Sequence, residues 1–377
     1  MRRAYKYRLY PNANQARELA IMLETHRRLY NACLAQRRDA YQVEQRAVKY
    51  TQQSAWFTKE RGENPYFARL NFSSAQATMR RLDKSFRNFF RRVKAKAEKP
   101  GYPRFKARDR FDSIEFPSYG DGLRLSERLL LRVQHVGLIK TKVHRPNEGE
   151  VKTATLKLEG AKWYVILSCD LGEVDITRST NPAVGVDVGL ESFLITSDGD
   201  YEPNPRYLKA ELPELRRRGR AVSRKRKGGR NRRKAVKRLR ASHARVRNLR
   251  REHHHQVSVK LVRRYGLIAV ESLNIKGMLR SRWMSRAISD AGWSAFVNTL
   301  KCKAESAGVE IVEVDPRGTS QQCSGCGAVV RKELWMRTHC CVQCGLILHR
   351  DENAARNILV RALQARMEPV RLNAEVA

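Results

Sequence analysis

The stretch Ala183-Val184-Gly185-Val186-Asp187 decides how the rest of the sequence is interpreted. Its small and β-branched residues predict a buried strand, and a carboxylate stands at the end of it. After a tight turn at 187–189, Ser192–Thr196 predicts a second buried strand. A carboxylate in such a place costs free energy unless it is paired or bound to a metal ion. Asp187 is therefore a candidate metal ligand, and a simple turn residue is the alternative.

Two further carboxylates occupy comparable places. Glu271 ends an apolar strand predicted over 266–271, and Asp351 opens a helix predicted over 351–366. Taken singly, Glu271 could be a strand-end charge and Asp351 a helix N-cap. Together with Asp187 they match the order of a ribonuclease-H-like sheet, in which strand-end and helix-start carboxylates converge on divalent cations. Two Mg²⁺ ions in such a site can activate water and stabilise the leaving oxygen of a phosphodiester.

The elements from residue 181 onward predict an α/β fold. Between the two basic helices and the last helix, the sequence predicts a strand over 266–271, a helix over 289–307 and a strand over 309–314. His253-His254-His255 predicts a solvated or phosphate-facing run, because consecutive residues point around a helix rather than at one ion. Asp290 is a candidate positioning residue.

The charge of the chain predicts a polyanionic partner. Its 377 residues hold 76 Lys and Arg against 38 Asp and Glu, a net charge of +38. A compact protein with that excess repels itself unless a polyanion neutralises it. The sequence has no apolar run of the roughly 18 residues that span a bilayer, and its basic start has no apolar stretch behind it. A nucleic-acid-binding protein of the cytoplasm, without a membrane partner, is therefore expected.

The densest basic segment predicts a helical hairpin. Residues 216–251 hold 19 Lys or Arg and no acidic residue, and Gly228-Gly229 divides them into two helices. Such runs are often disordered, but apolar residues supply an interior stripe here: Val222, Ala235, Leu239, Val246 and Leu249. An ordered hairpin that binds phosphates is therefore predicted. Its candidate contacts are Arg232, Arg233, Lys237 and Arg240.

The first 180 residues predict a helical part and a β-rich part. A strand over 5–10 precedes a helix with an apolar stripe, and a second amphipathic helix follows Asn71. The second helix has its own apolar stripe, which consists of Ala75, Met79, Leu82, Phe86, Phe89 and Val93. Arg80 and Arg87 lie on its basic face and are candidate phosphate contacts, with a solvated face as the alternative. Between about 111 and 175 the alternating pattern predicts a small β-barrel or sheet, with strands over 123–133, 151–158 and 163–169.

Five of the eight cysteines crowd one short segment, which indicates metal binding in a reducing compartment. Cys323 and Cys326 form one Cys-x-x-Cys pair, and Cys341 and Cys344 form another. Four thiolates close a tetrahedron around a single structural Zn²⁺ ion. Cys340 is a bystander, since it lacks the two-residue spacing to Cys344. The three isolated cysteines, Cys33, Cys169 and Cys302, are predicted to be small core residues.

Several motifs together resemble those of TnpB proteins, which are encoded by insertion sequences and are similar to type V CRISPR effector nucleases. The matching segments are 185–190, 270–274, 289–293, 319–321 and 351–358, with looser matches at 7–11 and 86–90. The resemblance implies a RuvC-like nuclease in which Asp187, Glu271 and Asp351 hold the catalytic ions. It also implies a transposon-derived guide RNA, a target DNA and a short adjacent motif. Gln76 resembles a residue of the family's motif-reading helix, and the alternative is an exposed glutamine.

The resemblance also implies a domain organisation. Residues 1–15 and 99–180 would form a wedge-like β-barrel, and residues 16–98 a helical recognition lobe. The RuvC-like nuclease would comprise 181–318 and 347–366, with a zinc ribbon over 319–346 between them and a tail over 367–377. A nuclease-inactive RNA-guided repressor is the alternative function, and a plain transposase is a weaker third. The sequence leaves the oligomeric state on RNA open.

Overall fold

The computed structural model describes residues 1–333 and 335–367. The chain folds as two compact units, Met1–Val174 and a second from Asp175 onward. Of the tail predicted over 367–377, all residues after Met367 lie outside the described ones. In the described part of the chain, no helix combines the length and the apolar character that a membrane span requires.

The helices of the first unit are α1 (Ala13–Glu44), α2 (Tyr50–Glu63), α3 (Pro65–Ala68) and α4 (Phe72–Lys94). The two longest, α1 and α4, begin at asparagine caps. Asn12 caps α1 in a capping box with Gln15, and Asn71 caps α4 through the backbone N–H of Ser74. The predicted apolar stripe of α4 is buried as far as Phe86, but Val93 is exposed because α4 has left the core by its last turn. Helices α2 and α3 were not predicted from the sequence.

The strands of the first unit form one antiparallel sheet around the N-terminal strand. They are β1 (Arg2–Tyr10), β2 (Ser113–Phe116), β3 (Leu123–Leu125), β4 (Leu130–Val133), β5 (Gly137–Lys142), β6 (Glu150–Glu159) and β7 (Lys162–Asp170). Their order is β2-β6-β7-β1-β5-β4-β3. The single strand predicted over 123–133 is a hairpin, because Leu129 takes a positive φ of 57° between β3 and β4. The predicted barrel is an open half-barrel, since the pairing ends at the short edge strands β2 and β3.

The second unit is built on a mixed five-stranded sheet. Its strands are β8 (Ala183–Val188), β9 (Ser192–Thr196), β10 (Tyr201–Pro203), β11 (Leu267–Glu271) and β12 (Glu310–Val314), in the order β10-β9-β8-β11-β12. Strands β8, β11 and β12 are parallel, whereas β9 and β10 are antiparallel to their neighbours. The first four residues of β11 are buried, as expected for a strand covered on both faces. The mixed α/β fold predicted for this unit is therefore confirmed.

The helices of the second unit include the predicted basic hairpin. They are α5 (Tyr207–Ser223), α6 (Arg230–Arg264), α7 (Ile275–Met278), α8 (Ser285–Ala291), α9 (Trp293–Ala307) and α10 (Arg350–Met367). Leu249 is exposed rather than interior, because the buried face of α6 runs through Val246 and His254. The single helix predicted over 289–307 is interrupted at Gly292, which has a φ of 67°. Short strands β13 (Thr338–Cys340) and β14 (Ile347–His349) pair beside α10.

Candidate active site and zinc-binding motif

Two of the three candidate carboxylates lie side by side at the ends of parallel strands. Val186 of β8 pairs with Val270 of β11, so the next residue on each strand is Asp187 and Glu271, respectively. Carboxyl ends of neighbouring parallel strands share one edge of a sheet. The apolar runs that precede both residues thus fix them at the same edge.

The third carboxylate reaches this edge because α10 packs unusually close to β8. A methyl group at Gly185 would lie 1.9 Å from the carbonyl oxygen of Ala355, so only glycine permits this approach. Asp351 lies one turn before Ala355, and its Oδ2 is 4.0 Å from where a methyl group on Gly189 would stand. Gly185 and Asp187 project to the same face of β8, since alternate residues of a strand do.

Burial and mutual repulsion make the cluster electrostatically costly. Burial raises the pKa of Asp187 well above its usual value, and the nearby carboxylates of Glu271 and Asp351 raise it further. Burial also raises the pKa of Glu271, although the Thr319 hydroxyl donates a 2.6 Å hydrogen bond to Oε1 of Glu271. Divalent cations relieve this kind of charge density. The donor set is all oxygen, which suits Mg²⁺.

The carboxylate oxygens of Asp187, Glu271 and Asp351 do not all lie within 4.8 Å of one another. Within residues 1–333 and 335–367, the four cysteines are the only group of three or more candidate ligands whose donor atoms all lie within 4.8 Å of one another. Arg337 stands beside the carboxylates, with Nη1 at 3.8 Å from Oδ2 of Asp351 and Nε at 2.8 Å from Glu191.

The four predicted cysteine ligands converge. The Sγ atoms of Cys323 and Cys344 are 3.6 Å apart, as are those of Cys326 and Cys341. Zn–S bonds of about 2.3 Å in a tetrahedron place sulfur atoms at roughly 3.8 Å, so these separations fit a zinc ion. Backbone N–H groups of Cys344 and Gln343 help to lower the pKa of the Cys341 thiol to about 6, which favours the thiolate form. The cluster could therefore bind zinc, and Cys340 lies outside it.

Each Cys-x-x-Cys turn has the geometry of a metal-binding knuckle. The N–H of Gly327 donates to the carbonyl of Cys323, and the N–H of Gly345 donates to that of Cys341, both at 2.9 Å. Gly327 and Gly345 have φ angles of 79° and 74°, which favour glycine.

Two asparagines of the segment 351–358, for which the sequence predicted no role, tie this motif to α10. The Asn353 side chain accepts a hydrogen bond from Ser324 N and donates one to the carbonyl of Gln322. Asn357 donates to the carbonyls of Thr319 and Gln322. Both asparagines are buried and four residues apart, so they share one face of the helix. Their four-residue spacing, shortly after Asp351, is the feature of the sequence from which this positioning role could have been predicted.

Two secondary expectations from the sequence are wrong in part, although His255 is exposed as expected. His253 and His254 are buried against Phe193, with ring centroids 4.8 Å and 5.5 Å from its ring, because α6 enters the core of the second unit there. Cys302 is exposed, whereas Cys33 and Cys169 are buried as predicted. Asp290 accepts hydrogen bonds from the backbone of Leu208 and Lys209 at the start of α5.

The candidate nucleic-acid contacts lie on two separate helical faces. Arg233, Lys237 and Arg240 are exposed on α6, and Arg232 is half-buried. On α4, Arg87 pairs with Asp83 at 3.1 Å, and Arg80 lies over the ring of Tyr50.

Gln76 is not the exposed glutamine that the alternative interpretation assumed. It is half-buried, and its amide accepts a hydrogen bond from Tyr50 and donates one to Ser54, both on α2. Helix α2 was not predicted from the sequence, and neither were these two partners of Gln76. Recognition of DNA by Gln76 stays a prediction.

Comparison with known proteins places this geometry in a family. A family model described as "Probable transposase" matches residues 167–282, "Cas12f1-like, TNB domain" matches 293–358, and "Helix-turn-helix domain" matches 1–46. A Streptomyces pristinaespiralis protein named "Putative RNA-guided DNA endonuclease" is 34% identical over 371 residues, 97% of this chain and 90% of that protein. The chain belongs to the TnpB family.

More distant similarities span the same length. The Escherichia coli K12 protein "Putative RNA-guided DNA endonuclease InsQ" is 26% identical to this TnpB-family chain, over 94% of the chain and 91% of that protein. The solved structure of the mini-RNA-guided endonuclease CRISPR-Cas_phi3 has a TM-score of 0.51 at 10% identity, over 96% of this chain and 92% of that one. This last likeness concerns the fold alone.

Proposed function

We propose that this TnpB-family chain is an RNA-guided DNA endonuclease, in which a RuvC-like site formed by Asp187, Glu271 and Asp351 binds two Mg²⁺ ions. The observation that carries the proposal is that three carboxylates lie near one another at one edge of the sheet. Burial and the charges of Glu271 and Asp351 raise the pKa of Asp187. The family's named relatives act as the second support. Guide RNA and target DNA would be the polyanions that the charge of +38 requires.

The chain's own residues would fix the geometry of hydrolysis. Thr319 donates to one oxygen of Glu271 and leaves the other available. The close contact of Gly185 with Ala355 sets the position of Asp351 relative to Asp187. The bound cations would supply an activated water and stabilise the departing oxygen. Arg337, beside Asp351, is placed to neutralise a phosphate that approaches the cluster.

The proposal extends to the other parts of the chain. We assign the half-barrel and the N-terminal strand to a wedge, helices α1–α4 to a recognition lobe, and the cysteine segment to a zinc ribbon with one structural Zn²⁺. In this assignment the hairpin residues Arg232, Arg233, Lys237 and Arg240, and Arg80 and Arg87 on α4, contact phosphates. Gln76 would reach a base only after releasing Tyr50 and Ser54.

Cleavage of a guide-matched plasmid tests the nuclease proposal. The protein, purified with its copurifying RNA, is incubated with target plasmid with and without Mg²⁺. Asp187→Ala, Glu271→Ala and Asp351→Ala should each reduce cleavage below detection, while RNA and target binding persist. Glu313→Gln is the matched control, because Glu313 is on the neighbouring strand β12 and pairs with Lys301 instead.

Two results would contradict the proposal in different ways. Cleavage at the wild-type rate by Asp187→Ala would mean that the assigned site is wrong. Tight, guide-dependent binding by the wild-type protein without any cleavage would instead support the RNA-guided repressor.

A further inference from the structure

A cavity of about 640 Å³ lies in the second unit, and Leu190 in the turn that follows β8 lines it. One wall is the segment 204–212 at the start of α5, and the other is the segment 282–290, which includes most of α8. We call it the Trp283 pocket. Its volume falls within the roughly 300–1,000 Å³ of ligand-binding pockets.

The pocket carries an excess of positive charge. Arg206, Lys209, Arg282 and Arg286 line it, against the single carboxylate of Asp290. Asp290 is already satisfied, by the backbone N–H groups at the start of α5 and by Arg250 at 3.1 Å. In the part of the chain that the structure describes, Lys209, Arg282 and Arg286 form no ion pair with an acidic side chain. An anionic ligand would supply the missing charge.

An exposed aromatic ring stands among these cations. The side chain of Trp283 is 96% exposed, although an indole ring is strongly apolar and is usually buried. Exposed aromatic rings flanked by Arg and Lys are the usual platform for unpaired bases, because each base offers a flat face for stacking while the cations hold the phosphates. Bases of a duplex are already stacked on each other and do not offer a free face.

The pocket wall is fixed to the turn that follows the catalytic strand. Leu190 lines the pocket three residues after Asp187. Its carbonyl accepts hydrogen bonds from Asn204 at 2.9 Å and from Arg206 at 3.3 Å. Arg206 holds a left-handed backbone with φ of 47°, which is unfavourable for a residue other than glycine. The pocket wall is thus tied by hydrogen bonds to the turn that follows Asp187.

We propose that the Trp283 pocket binds an unpaired nucleotide of the DNA strand presented for cleavage. The base stacks on Trp283, and Lys209, Arg282 and Arg286 contact the flanking phosphates. This inference rests on the proposed function, since it names where the substrate strand is held. It is tested by binding in the absence of Mg²⁺, so its outcome does not depend on whether the carboxylates cut DNA.

The test measures the affinity of the RNA-loaded protein for a fluorescent single-stranded DNA that does not match the guide. A second oligonucleotide of equal length has abasic sites in place of its bases. Trp283→Ala should weaken binding of the intact DNA by roughly 5- to 150-fold, the usual effect of losing one stacked base. The same variant should leave binding of the abasic DNA unchanged, and Trp283→Phe should retain most of the affinity.

Trp335 provides the matched control, because it is also largely exposed, at 77%, but lies outside the pocket. Trp335→Ala should bind both oligonucleotides as the wild type does. Photocrosslinking of DNA that carries 5-iodouracil should label the peptide that contains Trp283. Zinc content and thermal melting of each variant verify its fold.

Three outcomes would overturn the inference. The first is equal affinity of Trp283→Ala and wild type for the intact DNA. The second is an equal loss for intact and abasic DNA, which would show that no base is stacked. The third is a loss confined to an RNA or a duplex of the same sequence, which would assign the pocket to the guide or to paired DNA.

Discussion

Gly185 and Asp187 show how two nearby residues of one strand determine the geometry of the candidate site. They lie two residues apart on β8 and therefore project to one face, where Gly185 admits the backbone of α10 and Asp187 meets the carboxylate of Asp351. The carboxylate pattern was visible in the sequence. The reason for the glycine was not, because the contact of Gly185 with Ala355 joins residues 170 positions apart.

Adjacent cysteines allow a sharp test of the zinc ligands at the level of single residues. Cys341 is buried with its sulfur 3.6 Å from that of Cys326, whereas Cys340 is exposed and outside the cluster. Wild-type protein should contain about one zinc ion per chain by elemental analysis. Cys341→Ser should lose most of that zinc and melt at a lower temperature, while Cys340→Ser should retain it. Equal zinc loss in the two variants would contradict the assigned ligand set.

At the scale of helices and strands, the sequence correctly predicted the features that are determined by residues close together in the chain. The apolar stripes of α1 and α4 and the glycine division between α5 and α6 depend on neighbouring residues. Errors arose where tertiary contacts decide the outcome. The break at Gly292, the burial of His253 and His254, and the open edges of the half-barrel depend on packing partners distant in sequence.

The packing of α1 on α4 has a consequence for pH dependence. His26 of α1 is fully buried and is within hydrogen-bond distance of Thr78 and Ser74 of α4. Burial lowers the pKa of His26 from 6.5 to about 3. Between those values the unfolded chain binds a proton that the folded chain does not, so stability decreases as the pH falls from 6.5 toward 3.

Urea unfolding at pH 7 and pH 5 measures this effect. Because the unfolded chain gains a proton at this histidine, the free energy of unfolding should fall by about 2 kcal/mol from pH 7 to pH 5. His26→Gln should be less stable at pH 7 but lose less stability on acidification than the wild type. His243→Gln, at an exposed position on α6, is the control and should keep the wild-type pH dependence. An unchanged pH dependence in His26→Gln would show that His26 protonates in the folded state.

At the scale of the whole molecule, the charge of +38 has two different components. Many basic residues are paired with acids on the surface, for example Arg3 with Glu148 and Lys301 with Glu313. The stretch 216–251 contains no acid at all, so its excess charge is concentrated on the α5–α6 hairpin. Phosphate binding releases counterions in proportion to the number of contacts, which makes affinity steeply dependent on salt.

The salt dependence of nucleic-acid affinity can distinguish binding by a specific basic face from attraction by net charge alone. If six to ten phosphates are engaged, nucleic-acid affinity should fall by roughly three to five decades between about 50 and 200 mM salt. Changing Arg232, Arg233, Lys237 and Arg240 to Gln should reduce the slope of log affinity against log salt by about 3 to 4. The control removes the same charge from four acid-paired residues: Arg3, Lys152, Lys301 and Arg366. Each of these four side chains already faces an acidic partner, and such surface ion pairs contribute little energy. The control variant should therefore keep nearly the full salt slope. Equal slopes in the two quadruple variants would show that the hairpin contributes only through net charge.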